Sequence, residues 1–337
     1  MQVVIIGGGF IIPEFYAAAT HTDGVTVRGM WARRAEVRAE WTQAHGGIAY
    51  DSYEAVLADP EVNAVYLAVT NHVHYAYAMR ALEAGKDILI EKPVTVEYER
   101  AQALFAAAER LGRIVFEMIT NVHNPLCGKI ARQLPELGTV RLATLNYSQY
   151  SSRYNAFCAG EVRPVFDPAK GGGTLLDLNV YNIHLAVAWF GKPERVTYRA
   201  NIERGIDVSG TVLLEYPGMV CTCTASKDTD GPSGVSIQGE KGYIQSVGAP
   251  NRLTSYTFYP HGGEAVSEAH AECASRMCDE LAGFCAHYAT RDLNWFADCA
   301  AHSLAVMNVL EQAVHSAGLQ LGGDMTELQA PGSGRAM

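Results

Sequence analysis

Val3-Val4-Ile5-Ile6 runs straight into Gly7-Gly8-Gly9. A short continuous apolar run reads as a strand buried on both faces, and glycines directly after it read as a tight turn. Working outward, Val25 to Trp31 is a second strand candidate, followed by a helix over about 35–44. Ala64 to Val69 is a third, followed by an Ala-rich helix over about His74 to Glu83 that stops at Gly85. Asp87 to Ile90 reads as a fourth strand, Glu97 to Leu111 as a helix and Arg113 to Met118 as a fifth strand. Strands alternating with helices of about ten to fifteen residues predict βαβ units on a parallel sheet.

In that context Gly7-x-Gly9 lets the backbone turn tightly and approach a pyrophosphate, whose charge meets the free N–H groups of the next helix. A Rossmann dinucleotide-binding domain over residues 1–120 is therefore expected. The third small residue of the fingerprint would fall at position 12, where this chain has Ile12 followed by Pro13. The second strand ends Trp31-Ala32-Arg33-Arg34, with two guanidiniums where NAD-specific sites carry a carboxylate. Arginine suits a 2′-phosphate by charge and fork geometry, so NADP is preferred over NAD. Two solvated arginines opening a surface helix are the plainer reading of the same residues.

After Met118 the pattern becomes β-rich, at 140–150, 194–202, 207–216, 219–227, 235–247 and 253–259, with turns such as Tyr216-Pro-Gly218. Short turns imply antiparallel neighbours. A C-terminal α+β domain with a large, mostly antiparallel sheet is expected over residues 121–322. Two helical patterns, about 268–289 and 295–317, would cover it or return to the first domain, and 323–337 reads as a loose tail. A further helix opened by Gly171-Gly172-Gly173 carries Asp177, Tyr181 and His184 at i, i+4 and i+7, one polar stripe among Leu175, Leu176, Val180, Ile183 and Leu185. Such a stripe is costly to bury unless it serves a ligand or an internal network.

Two more stretches, Ala68-Val-Thr-Asn-His-Val-His74 and Glu91-Lys92-Pro93, end strands at the carboxyl edge of the sheet, where ligands bind. With Gly171 to His184 and Ile237 to Ile244 in the same order, the chain resembles the glucose-fructose oxidoreductase/inositol dehydrogenase (Gfo/Idh/MocA) family, in particular its glucose-fructose oxidoreductase and dimeric dihydrodiol dehydrogenase branches, which carry tyrosine at the position of Tyr181. The resemblance implies an NAD(P)-dependent oxidoreductase acting on a secondary alcohol or carbonyl of a sugar, polyol or vicinal diol. It implies that Lys92 is the catalytic or substrate-orienting lysine and that the Lys92–Pro93 bond is cis. Tyr181 is the first choice for proton transfer, with Lys92 lowering its pKa from about 10; burial of Lys92 would itself bring that lysine towards neutrality. Asp177 would orient the pair, and Lys92, Asp177, Tyr181 and His184 would contact substrate. Expected cofactor contacts are Gly7, Gly9, Phe10 and Ile11 at the turn, and Ala32, Arg33 and Arg34 after the second strand. Thr70, Asn71 and His74 join them after the third strand, with Glu91 and Lys92 after the fourth; His72 is the alternative to His74. Where inositol-dehydrogenase-like members have a glycine and a later aspartate, this chain has Asn179 and His184. The same fold serves a cofactor-dependent glycosidase with transient sugar oxidation and a non-catalytic dinucleotide sensor.

The 337 residues suit two domains. With 48% hydrophobic and 18% charged residues the chain is globular, and 26 Lys plus Arg against 36 Asp plus Glu make it acidic, which disfavours nucleic acid. No apolar run approaches a bilayer's thickness and the N-terminus runs straight into the first strand, so no membrane partner and a cytoplasmic location are expected. A homodimer or homotetramer is expected as well. The eight cysteines show no CxxC spacing and read as reduced thiols; Cys221-x-Cys223 fits one buried strand face. His270, Glu272, Cys273 and Cys278 fit no compact zinc pattern, so no metal is expected. The loop arginines Arg153 and Arg163 fit anion steering and plain surface charge equally.

Overall fold

The computed structural model describes residues 1–271, 273–326 and 328. The opening strand β1 (Gln2–Ile6) lies at the centre of a six-stranded sheet with β2 (Thr26–Trp31), β3 (Ile48–Ala49), β4 (Ala64–Leu67), β5 (Asp87–Glu91) and β6 (Val115–Met118), in the order β3-β2-β1-β4-β5-β6, all parallel. Val4 and Ile6 join one core cluster and Val3 and Ile5 another, all four fully buried. That split explains a continuous apolar run without alternation, since both sheet faces are covered. The crossover helices are α1 (Ile12–Thr20), α2 (Ala35–His45), α3 (Tyr53–Ala58), α4 (His74–Glu83) and α5 (Tyr98–Leu111). The short β3 and α3 escaped the sequence reading, β3 because two exposed residues carry no periodicity.

The second sheet has eight strands: β7 (Val140–Ser148), β8 (Arg195–Glu203), β9 (Ile206–Tyr216), β10 (Met219–Ser226), β11 (Gly234–Gly239), β12 (Gly242–Val247), β13 (Ser255–Pro260) and β14 (Val266–Ala269). Their order is β14-β13-β12-β11-β7-β10-β9-β8, antiparallel except for β7 with β10. The stretch expected as one strand over 235–247 is a hairpin, because Gly239 pairs with Gly242 across Glu240-Lys241. Cys221 and Cys223 are buried in β10, and among the described residues all eight cysteines are free thiols.

The helix expected from about 268 begins only at Cys278, and Glu268 and Ala269 belong instead to the end of β14. Helix Cys278–Thr290 buries Leu281 and Phe284 against Phe15 and Phe116 of the first domain. Helix Leu293–Ala317 runs between β8 and the first domain's α5 and β6. The tail expected from 323 is anchored at its start. The Gly322 amide donates to the Pro168 carbonyl and the Met325 amide to that of His72, while the buried Asp324 carboxylate accepts from the amides of Val96 and Glu97. The Pro331 to Gly334 stretch of that tail lies outside the described residues. Among the described residues, no helix is long and apolar enough to cross a membrane.

Candidate active site

The carboxyl ends of β1, β4 and β5 meet the start of helix Val180–Phe190 in one cleft. At β1, Gly7 has φ +135°, and a Cβ there would sit 2.2 Å from the Ala68 carbonyl oxygen. Only glycine permits that approach. Among the described residues, a Cβ on Gly9 would meet nothing closer than 3.9 Å, and the amides of Gly9, Phe10 and Ile11 donate to no backbone carbonyl. The open N-terminal amides of α1, with room above Gly9, fit an anionic pyrophosphate, and Ile12 in place of the third glycine buries its side chain instead. Phe10 is exposed with the Arg153 guanidinium 5.1 Å over its ring, and Arg163 pairs with Glu161. Arg33 and Arg34 are exposed after β2, and among the described residues neither has an ion-pair partner; Ala32 is buried, its carbonyl accepting from Arg38.

At β4 the expected contacts divide. Thr70 and Asn71 are half-buried at the cleft, and the Asn71 amide donates to the Gly171 carbonyl at 2.8 Å, linking the two domains. His74 is fully buried, its ring held between the carbonyls of Pro93 (3.0 Å) and Val69 (3.2 Å), so it has no surface for a ligand. The structure corrects that expectation: His74 opens α4 and points under the strand ends. Burial pushes its pKa down to about 4. An unfolded chain takes this proton near 6.5, whereas the folded one resists it until about 4, so stability present above pH 6.5 is lost as pH falls through that window. The loss is about 3 kcal/mol at most for this residue. His123 and His302, pushed to about 4 by burial, act in the same direction. Glu117, pushed up to about 7, acts oppositely, gaining stability as pH falls from 7 towards 4.5. Urea denaturation followed against pH should show a shallower acid decline in His74→Gln than in the unsubstituted protein.

At β5, Glu91 accepts from the buried Tyr66 hydroxyl at 2.5 Å; Tyr66 in turn stacks on Phe15. Glu91 therefore braces the strand end. Next to it the Lys92–Pro93 bond is cis, and the Lys92 ammonium donates to the Asp177 carbonyl (2.8 Å) and to Asp177 Oδ1 (3.1 Å). It also lies 4.9 Å over the Tyr181 ring.

Gly171 and Gly173 have φ of +65° and +106°, and the helix they were expected to open starts with a π-turn over Leu175–Asn179. The π-turn carries Asp177, and the regular helix from Val180 carries Tyr181 and His184. Asp177 and Tyr181 reach Lys92, while His184 is fully buried behind them, its Nδ1 3.0 Å from His302 Nε2 and its Nε2 3.8 Å from Glu117. His184 is thus not exposed to substrate, contrary to expectation. On the same segment, the buried Asn179 and Asn182 donate to the carbonyls of Cys223 and Thr224.

Burial opposes the Lys92 charge, but Tyr181, Asp177 and Glu91 outweigh it and hold the ammonium above its ordinary pKa, the reverse of the expected shift towards neutrality. Burial also outweighs Lys92 at Tyr181 and raises the phenol, again the reverse of expectation. Burial works against the Asp177 carboxylate, yet Lys227 and Lys92 hold it below its ordinary range. The site thus presents an ammonium, a carboxylate and a neutral phenol. Among the described residues the Tyr181 hydroxyl has no hydrogen-bond partner, and its residue is 6% exposed.

Two cations here escaped the sequence reading. Lys227 reaches Asp177 Oδ2 at 2.8 Å, and Arg276 is held by Glu14 at 2.8 Å beside Tyr181. Neither sits in a local pattern that signals burial. Among the described residues no group of three or more His, Cys, Asp or Glu is placed to hold a metal; Glu272 lies outside them.

The chain matches a family model described as an oxidoreductase family with an NAD-binding Rossmann fold over residues 1–118, and the GFO/IDH/MocA C-terminal domain over residues 133–245. It is 32% identical over 259 residues to a scyllo-inositol 2-dehydrogenase (NADP(+)) of Bacillus subtilis, covering 75% of this chain and 78% of that protein. It is 31% identical to the trans-1,2-dihydrobenzene-1,2-diol dehydrogenase of Oryctolagus cuniculus over 72% of each. Among solved structures, a 3-ketoreductase from Actinomadura kijaniata in complex with NADP and TDP-benzene superposes with a TM-score of 0.82 at 22% identity, covering 94% of this chain and 97% of that one. At that identity the likeness speaks for the fold.

Proposed function

Because the chain belongs to the Gfo/Idh/MocA oxidoreductase family, we propose that it is an NADP-preferring dehydrogenase or reductase that interconverts a secondary alcohol and a carbonyl on a sugar, polyol or vicinal diol. The observation that carries this reading is the unpartnered Tyr181 hydroxyl beside the Lys92–Asp177 pair at the carboxyl edge of the parallel sheet. Relatives named for inositol and dihydrodiol oxidation support the substrate class. Gly7, Gly9, Phe10 and Ile11 would hold the pyrophosphate, Arg33 and Arg34 the 2′-phosphate, and Thr70 and Asn71 the ribose next to the ring. When bound, the nicotinamide supplies the two-electron chemistry.

The chain's own residues handle the proton and the oxygen. In the reducing direction the neutral Tyr181 phenol donates its proton to the carbonyl oxygen as charge develops there. Lys92 spends two of its three N–H bonds on Asp177 and has a third for that oxygen, so a fixed positive charge faces the developing alkoxide. Asp177 stays ionised and keeps the lysine charged and aimed. In the oxidising direction the same atoms run in reverse, Tyr181 Oη receiving the hydroxyl proton.

The test is a screen of NADP and NAD against sugars, polyols and vicinal diols, read at the reduced-nicotinamide absorbance. Turnover with at least one of them is expected. Tightly retained cofactor with no turnover on any would overturn the reading and favour transient oxidation within a glycosidase cycle. The cofactor assignment has its own check. Arg33→Ala/Arg34→Ala should raise the KM for NADP by about 10- to 100-fold, the worth of a charge-assisted phosphate contact, and leave that for NAD unchanged. Equal effects on both cofactors would remove the 2′-phosphate role.

A further inference from the structure

Lys227 lies just beyond β10, its side chain 2% exposed, and no feature of its neighbourhood in sequence points to a site. Its ammonium has three acceptors: Asp177 Oδ2 at 2.8 Å, the Val165 carbonyl at 2.9 Å and the Gly173 carbonyl at 3.2 Å. It also lies 5.0 Å over the Phe166 ring. An ammonium has three protons, and all three are committed to the protein. Lys92 holds the other carboxylate oxygen, Oδ1, at 3.1 Å. One carboxylate is thus divided between two buried ammoniums, one with a donor to spare and one without.

We infer that Lys227 is a positioning residue for the proton-transfer site: it pins Asp177 Oδ2 and the glycine run before the π-turn, so that Oδ1 alone meets Lys92 and the lysine stays over Tyr181 with a donor free for substrate. This rests on the proposed roles of Lys92 and Tyr181. Without Lys227, Asp177 has only Lys92 to neutralise it, and both carboxylate oxygens can turn to that lysine and occupy its third donor. The Val165 and Gly173 carbonyls lose their shared donor, which loosens the segment that carries Asp177. The carboxylate also loses one of its two counter-charges. The ionisable groups around it are Lys92 from the end of β5, with Glu91 beside that lysine, Tyr147 from β7, Tyr181 from its own helix and Lys227. The Lys227 charge also acts on Asp207 of β9.

The test compares Lys227→Met, which keeps length and removes charge, with Lys227→Arg, which keeps charge. The first readout needs neither substrate nor cofactor: carboxyl 13C NMR titration, with Asp177→Asn identifying the resonance. In the unsubstituted protein the Asp177 signal should stay that of a carboxylate across the acid range, and in Lys227→Met it should titrate closer to the ordinary value of 3.8. The second readout is kinetic. Lys227→Met should lower kcat by about tenfold or more, with NADP affinity by fluorescence unchanged, and Lys227→Arg should recover most of it. If Lys227→Met does not fold, Lys227→Arg decides alone: it should keep the low Asp177 titration. An unmoved Asp177 resonance together with normal kcat in a folded Lys227→Met, or an Asp177 titration in Lys227→Arg at its ordinary value, would overturn the inference. Because the NMR arm needs no turnover, its outcome stands apart from that of the substrate screen.

Discussion

Tyr181→Phe should lower kcat by about 10²- to 10⁴-fold in either direction, the usual worth of a positioned acid or base. The fold should hardly notice. The ring is buried against Tyr147, 6.0 Å between centroids, and faces the Lys92 ammonium, and both contacts survive in phenylalanine. The lost hydroxyl has no partner among the described residues, so its removal leaves no buried group unsatisfied. Thermal stability and cofactor affinity should therefore stay near normal while turnover collapses, a separation that cavity-forming substitutions do not produce. Circular dichroism melts, fluorescence titration with NADPH and steady-state rates on whichever substrate the screen identifies check the three parts. Near-normal turnover in this variant would remove Tyr181 from the proton path and leave Lys92 as the remaining donor.

The second large effect concerns the turn after β1. Gly7→Ala should cost about 3 kcal/mol or more of stability, because φ +135° is barred to an L side chain and the new Cβ would meet the Ala68 carbonyl at 2.2 Å. Gly9→Ala makes the contrast. Its Cβ has no protein atom within 3.9 Å, so urea denaturation should find a nearly unchanged fold. The same methyl group would stand where a pyrophosphate approaches the amides of α1, and NADP affinity should fall by about tenfold or more. If Gly9→Ala bound NADP normally, the dinucleotide would not lie over this turn; if Gly7→Ala were as stable as the unsubstituted protein, the close packing of β1 on β4 at this point would be wrong.

What could be read in the chain follows from which forces are local. The parallel sheet was legible because burial on both faces leaves Val3 to Ile6, Ala64 to Leu67 and Asp87 to Ile90 as apolar runs separated by helical periods, a signal carried by neighbours in sequence. The second sheet was legible as strands and turns, but the order that puts β7 beside β10 in parallel was not, since pairing across long separations leaves no local pattern. At the candidate site, residue type and spacing brought Lys92, Asp177 and Tyr181 to notice.

Their electrostatic state belonged to the tertiary structure. Whether a buried lysine loses its charge depends on which anions surround it, and those come from β5 and the helix after the glycine run. His184 lies on the face of helix Val180–Phe190 that packs on helix Leu293–Ala317, and so it meets His302 rather than the cleft. His74, expected at the cofactor by sequence, became a buried brace because the chain after Lys92 folds over it. Lys227 and Arg276 look like ordinary surface cations in sequence; only the packing of β10 and of the segment before helix Cys278–Thr290 against the cleft buries them. The chain alone determines which segments become strands and helices, because hydrophobic periodicity is a property of adjacent residues. Which charges survive in the cleft, and which side chains face it, is decided by desolvation and ion pairing between residues that only the folded chain brings together.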